Sequence, residues 1–139
     1  MRMKAYCRLA LLGLAGVALA ATAWAKVYTM QATSITPGAV GKIDTKTEKT
    51  GGNVQVTVST EHLARPSMLQ PSATQYVVWS QPEGAQPMNE GTLTIGGNEK
   101  GDLKFTSSAT RFSVFVTAEN EETPREPSKR VILRSDVSE

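Results

Sequence analysis

The stretch "YVVWSQPEG", Tyr76 to Gly84, sets four bulky apolar residues in a row and then turns polar at a Pro-Glu-Gly corner. A run this short, bounded by turn residues, reads as a strand with apolar side chains on both faces. Side chains alternate along a strand, so Val77 and Trp79 point one way and Tyr76 and Val78 the other. Which pair looks inward decides whether Trp79 fills a core or grips a ligand. A buried indole in a central strand stabilises a core by several kcal/mol, so Val77 and Trp79 are assigned inward.

Working outward, the neighbouring segments are short runs broken by turns. "NVQVTVST" (53–60) alternates strictly, with Val54, Val56 and Val58 on one face, as a half-buried strand requires. The polar run 41–50, ending at Gly51-Gly52-Asn53, reads as a hairpin into it. Pro66 and Pro71 forbid a long helix in 61–74 and allow one turn at "SML". "VYTMQATSI" (27–35), "EGTLTI" (90–95), "DLKFTS" (102–107), "RFSVFVTAE" (111–119) and "KRVILR" (129–134) complete the set, the last followed by a polar tail. No segment of ten residues in 26–139 has helical periodicity. The expected fold is an all-β, immunoglobulin-like or fibronectin-III-like antiparallel β-sandwich of about seven to eight strands, preceded by a signal-peptide helix. Its predicted core joins Val54, Val56, Val58, Leu93, Leu103 and Phe105 to Val77, Trp79, Phe112, Val114, Val116, Val131 and Leu133. The leftover face, Tyr76, Val78, Phe115 and Ile132, is then an apolar patch. It is either a partner surface or covered by the N-terminal strand or the 61–74 loop.

The first 25 residues read as an export leader. Arg2, Lys4 and Arg8 precede an uncharged run, residues 9–23, and Ala23-Trp24-Ala25 offers small residues at both peptidase recognition positions. The run is short of the roughly 20 residues that a spanning helix needs. Cleavage after Ala25 leaves residues 26–139 as one domain, exported to the periplasm or beyond, with no stable membrane anchor. Ala21 and Ala23 form a second, less regular site. Cys7 lies before the apolar run, where lipid attachment does not occur. Removing residues 1–25 of 139 takes three of the 15 basic residues and none of the 13 acidic ones. The remaining 12 against 13 give −1, so no basic surface for nucleic acid is expected. The remainder has no cysteine, so hydrophobic burial alone must hold the domain.

Two of these segments carry a resemblance. "YVVWSQPEGAQPMNEGTL" (76–93) and "FSVFVTAENEETPREPSKRVIL" (112–133) resemble the extracytoplasmic C-terminal domain of anti-sigma-K factors. The shared features are a V-x-W strand, a Pro-x-Gly turn, a Gly-Thr-Leu strand, a V-T-x-E strand and a Pro-x-x-x-Val-x-Leu ending. They span about residues 75–134. In that family a sigma-binding cytoplasmic segment and a membrane-spanning helix precede the domain, whereas here an export leader does. The resemblance therefore implies a free-standing exported relative with a sandwich fold. It carries over neither sigma binding nor catalytic residues.

Catalytic chemistry finds few candidates. His62 is the only histidine, no Gly-x-Ser-x-Gly elbow exists, and most acidic residues fall in turns. Glu119, closing "FVTAE", is the one carboxylate placed where burial is plausible. His62, Met68 and Met88, with Met30, could offer soft ligands to Cu(I), although methionine more often fills cores. The expectation is a non-enzymatic module without cofactor that binds an envelope protein or itself. The alternative is a periplasmic binder of copper or carbohydrate using His62, Met68 and Met88. Intact mass of the exported protein tests the leader assignment: a chain beginning at Lys26 is expected, and one retaining residues 1–25 contradicts it.

Overall fold

The structure is a computed structural model describing residues 24–139. The expected signal-peptide helix, residues 1–25, lies almost wholly outside those residues. Eight strands follow in order: β1 Ala25–Ala32, β2 Val40–Thr47, β3 Val54–Glu61, β4 Gln75–Pro82, β5 Met88–Leu93, β6 Gly101–Ser107, β7 Arg111–Glu119 and β8 Val131–Ser138. One 3-10 turn, Pro66–Met68, interrupts them where the two prolines bracket "SML". All pairings are antiparallel, in the order β5-β4-β7-β8-β1-β2-β3-β6. Strand β1 joins the two layers, pairing with β2 through Ala25–Met30 and with β8 through Gln31 and Ala32. The terminal strands β5 and β6 approach each other, with the Gly91 backbone against the Leu103 side chain, so the sheet is nearly closed.

Local chemistry explains most of the strand ends. Gly51 and Gly52 take φ of 90° and 69°, the left-handed conformation that closes the β2–β3 hairpin, and the Glu48 amide donates to the Asn53 carbonyl. Along β3, Val54, Val56 and Val58 are buried while Gln55 is exposed and Thr57 and Ser59 are half-buried. Strand β8 runs to Ser138, four residues past the expected "KRVILR". Val137 is buried opposite Phe112, and this pairing recruits the supposed polar tail.

The main core takes Val54, Val56, Val58, Leu93, Phe112, Val114, Val116 and Leu133 as expected, with Leu103 and Phe105 half-buried against it. It also takes Tyr76, Val78 and Ile132, which corrects the face assigned to β4. Tyr76 stands opposite Ala118 and Val78 opposite Val116, both on the inward face of β7. Val77, Trp79 and Phe115, with Val131 beside them, form a second cluster on the other side of the sheet. The four residues read as one apolar patch are therefore divided between two faces, and all four are buried. The physical reason is that both faces of "YVVW" are apolar, so period-two alternation carries no inward label. A second reason is a bulge in β8. Val116 pairs with Leu133 and Thr117 with Val131, which leaves Ile132 as the extra residue. Ile132 and Leu133 consequently both face inward.

The inward tyrosine fixes a pH dependence. Its hydroxyl donates to the Ala64 carbonyl at 2.7 Å, and burial pushes its pKa up to about 12, a nearby Arg130 charge opposing this. The folded pKa lies above the ordinary tyrosine value of about 10. The stabilisation is therefore intact below pH 10 and is lost as pH rises through about 12. Urea midpoints measured from pH 8 to 12 are expected to fall above pH 10, and less steeply in Tyr76→Phe. Parallel curves for the two proteins would contradict the inward placement.

Candidate functional site

Two regions gather the residues singled out in the sequence. The first is the outer face of β4 and β7. Trp79 is fully buried there, stacked on Phe115 at 6.5 Å between ring centres and 14° between planes. The Arg134 guanidinium sits 5.8 Å from the Phe115 ring centre, a favourable cation–π distance. The Trp79 indole N–H donates to Thr117 Oγ1 at 2.8 Å, and the Thr117 hydroxyl donates to Glu119 Oε1 at 2.6 Å. The Ser128 amide donates to the same carboxylate oxygen at 2.7 Å. Thr117 and Glu119 can cooperate because residues two apart share a strand face.

This chain of bonds clasps residues 120–130 across the outer face. Ser128 Oγ donates to the Ala118 carbonyl at 2.9 Å, and Asn89 Nδ2 to the Pro124 carbonyl at 3.0 Å. Gln75 Nε2 donates to the Glu122 carbonyl at 2.9 Å and also reaches that of Glu121. Pro124 is buried in consequence. The cover is therefore neither of the two segments expected from sequence, the N-terminal strand or the 61–74 loop. The latter instead closes one end of the main core with Leu63, Leu69 and Ala73. Glu119, flagged as the carboxylate to check, is only 6% exposed. Its two donors make it a structural anchor, because a buried carboxylate needs such partners.

The second region is the pole where residues 33–39 and 62–70 meet. Thr33 pins the first loop to β8: its amide donates to the Ile132 carbonyl at 3.0 Å and its hydroxyl to the Val131 carbonyl at 2.7 Å. The second loop leaves β3 through His62, whose φ of 54° turns the chain sharply. Between the loops lies an open depression of about 460 Å³, lined by Ile35, Thr36, Ala39, His62, Met68 and Leu69 among others. Met68 is 71% exposed and Ile35 is exposed as well. No lining residue is Asp, Glu, Lys or Arg. Thr36 is only 9% exposed, and its Oγ1 is the one buried side-chain polar atom without a hydrogen-bond partner among the described residues.

The structure thus brings His62 and Met68 to one site and leaves Met88 elsewhere. Met88 lies on β5 opposite Ser80 and does not line the depression. Met30 is buried in the main core. Among the described residues no group of three or more His, Cys, Asp or Glu is placed to hold a metal ion. Ile35 and Thr36 escaped sequence reasoning because only the packing of two distant loops joins them to His62. Thr117 was legible in principle, since a Thr-x-Glu pair beside a cross-strand tryptophan can relay hydrogen bonds.

No protein-family model matches the chain, and no curated protein matches it. The clasp is tested by removing its middle. Thr117→Val orphans the indole N–H and takes one donor from Glu119, a loss of about 2–3 kcal/mol. Thr117→Ser keeps the hydroxyl and is expected to cost less than about 1 kcal/mol. Urea unfolding measures both, and equal midpoints for the two variants would contradict the relay.

Proposed function

We propose that the chain is an exported, non-catalytic β-sandwich module that acts through protein–protein interaction in the cell envelope. The observation that carries this reading is the pole between residues 33–39 and 62–70. Two loops held on a rigid sandwich present exposed Ile35 and Met68 around an uncharged concave surface. Exposed apolar side chains gathered at a concavity favour contact with another molecule. Methionine suits such a surface because its unbranched, polarizable side chain adapts to varied partners. The export leader read in residues 1–25 and the resemblance to the anti-sigma-K C-terminal domain support the envelope setting and a sensor-like or structural role.

A second reading is a small-ligand binder, favoured by the convergence of His62 and Met68 on one depression. An imidazole and a thioether together suit Cu(I). Site-specific photocrosslinking separates the two. A photoreactive residue at position 68 is expected to give a discrete protein adduct in cells expressing the chain. The same residue at Lys46, exposed on β2, is expected to give none. Adducts at neither position, or equally at both, would contradict an interaction module working through this pole.

A further inference from the structure

We infer that cutting the leader at the Ala25–Lys26 bond completes the fold, because the α-ammonium it creates on Lys26 pairs with the carboxylate of Glu139. The inference rests on the leader reading of residues 1–25 and is independent of the pole between residues 33–39 and 62–70. Hydrolysis by an export peptidase takes up one water. It leaves a carboxylate on Ala25 and an α-amine on Lys26 that is mostly protonated at neutral pH.

The first observation is a carboxylate with hydroxyl partners and no cation. Strands β1 and β8 pair only through Gln31 and Ala32, so side chains fill the gap between the start of β1 and the end of β8. The Tyr28 hydroxyl shares its proton between the Ser138 carbonyl at 2.7 Å and Glu139 Oε1 at 3.0 Å, and its oxygen accepts the Ser138 amide at 3.3 Å. The Thr45 and Thr47 hydroxyls donate to Glu139 Oε1 at 2.6 Å and Oε2 at 3.2 Å. Thr45 is only 2% exposed and Glu139 is half-buried. The Lys26 side chain is engaged elsewhere, its Nζ donating to the Ser138 carbonyl at 3.0 Å. The one ion pair among the described residues joins Lys100 to Glu61. A half-buried carboxylate held by neutral hydroxyls gains from a positive charge placed beside it.

The second observation is the register of β1 on β2. The Thr47 amide donates to the Trp24 carbonyl at 3.4 Å, which makes these two a hydrogen-bonded pair. Alternation along the ladder makes Lys26 and Thr45 the next such pair. The two threonines that grip Glu139 are thus the partners of the residues on either side of Ala25. Thr45 Oγ1, which donates to Glu139, is also 3.4 Å from the Lys26 carbonyl oxygen. The carboxylate and the Lys26 backbone therefore share a neighbour. In the uncut chain the Lys26 nitrogen carries one proton, committed to Thr45 across the ladder. An ammonium at the same atom carries three, which leaves two for Glu139.

The experiment is a start-site series. A chain opened at Lys26 by a site-specific protease is compared with one carrying an added glycine before Lys26, which moves the ammonium about 3.3 Å further out along β1. Each is made with Glu139 and with Glu139→Gln, which keeps an acceptor oxygen for the hydroxyls and removes the charge. From urea unfolding, the added glycine is expected to lower the folding constant about three- to tenfold in the parent, and less than about twofold in Glu139→Gln. Competitive acylation of the folded chain with acetic anhydride, read by mass spectrometry, gives a second measure. The Lys26 α-amine opened at its own position should react about three- to tenfold more slowly in the parent than in Glu139→Gln, because a paired ammonium is not nucleophilic. No loss in the parent, an equal loss in both backgrounds, or equal acylation rates would overturn the pairing. An exported chain that begins elsewhere than at Lys26 would overturn the maturation step through the leader reading, a result that intact mass reads separately from the series.

Discussion

The hydrogen-bond relay from Trp79 through Thr117 to Glu119 and Ser128 is the constraint on which the outer half of this domain depends. Strand β4 carries apolar side chains on both faces, so one pair always looks away from the main core. Leaving Val77, Trp79 and Phe115 in water would forfeit much of their burial energy, several kcal/mol for residues of this size. Covering them requires a loop, and a loop brings polar backbone that must be satisfied. The buried carboxylate of Glu119 meets both needs. It accepts from the Thr117 hydroxyl, whose oxygen in turn accepts the indole N–H, and from the backbone of the covering loop. A sheet with one solvated face thereby becomes a sheet buried on both sides along β4 and β7. With no cysteine from residue 26 onward, this anchor and hydrophobic packing do what cross-links do in many exported domains.

Strand positions were legible because period-two alternation and turn residues are local signals. Val54, Val56 and Val58 announce a face, and Gly51-Gly52 announces the hairpin before them. The orientation of β4 was not legible, because a run apolar on both sides carries no inward mark. Tyr76 was decided by the β7 register and by an acceptor on Ala64, twelve residues earlier in the chain. The bulge at Ile132 was hidden for a related reason. An extra residue shifts parity without changing composition. Val137 looked like part of a tail because its burial depends on Phe112, which lies far away in sequence.

The pole shows the same division between local and long-range information. His62 and Met68 could be named as rare, functional side-chain types, whereas their neighbours Ile35 and Thr36 look like ordinary loop residues. Only the anchoring of Thr33 to β8 and the sharp turn at His62 bring the four together. Met88 shares their chemistry but sits on β5, and composition alone could not separate it from the others. Binding residues are often found on loops positioned by a rigid scaffold. Here the strands hold the ends of the two loops, and the loops themselves line the uncharged concavity with its exposed Ile35 and Met68.

Hydrogen exchange of the Trp79 indole N–H, followed by NMR in the folded chain, reports on the relay more directly than any other signal. Buried and bonded to Thr117, that proton should exchange orders of magnitude more slowly than the indole N–H of free N-acetyl-tryptophanamide under the same conditions. Similar rates for the two indoles would mean that the outer face is open, and the account of how this domain is held together would fail.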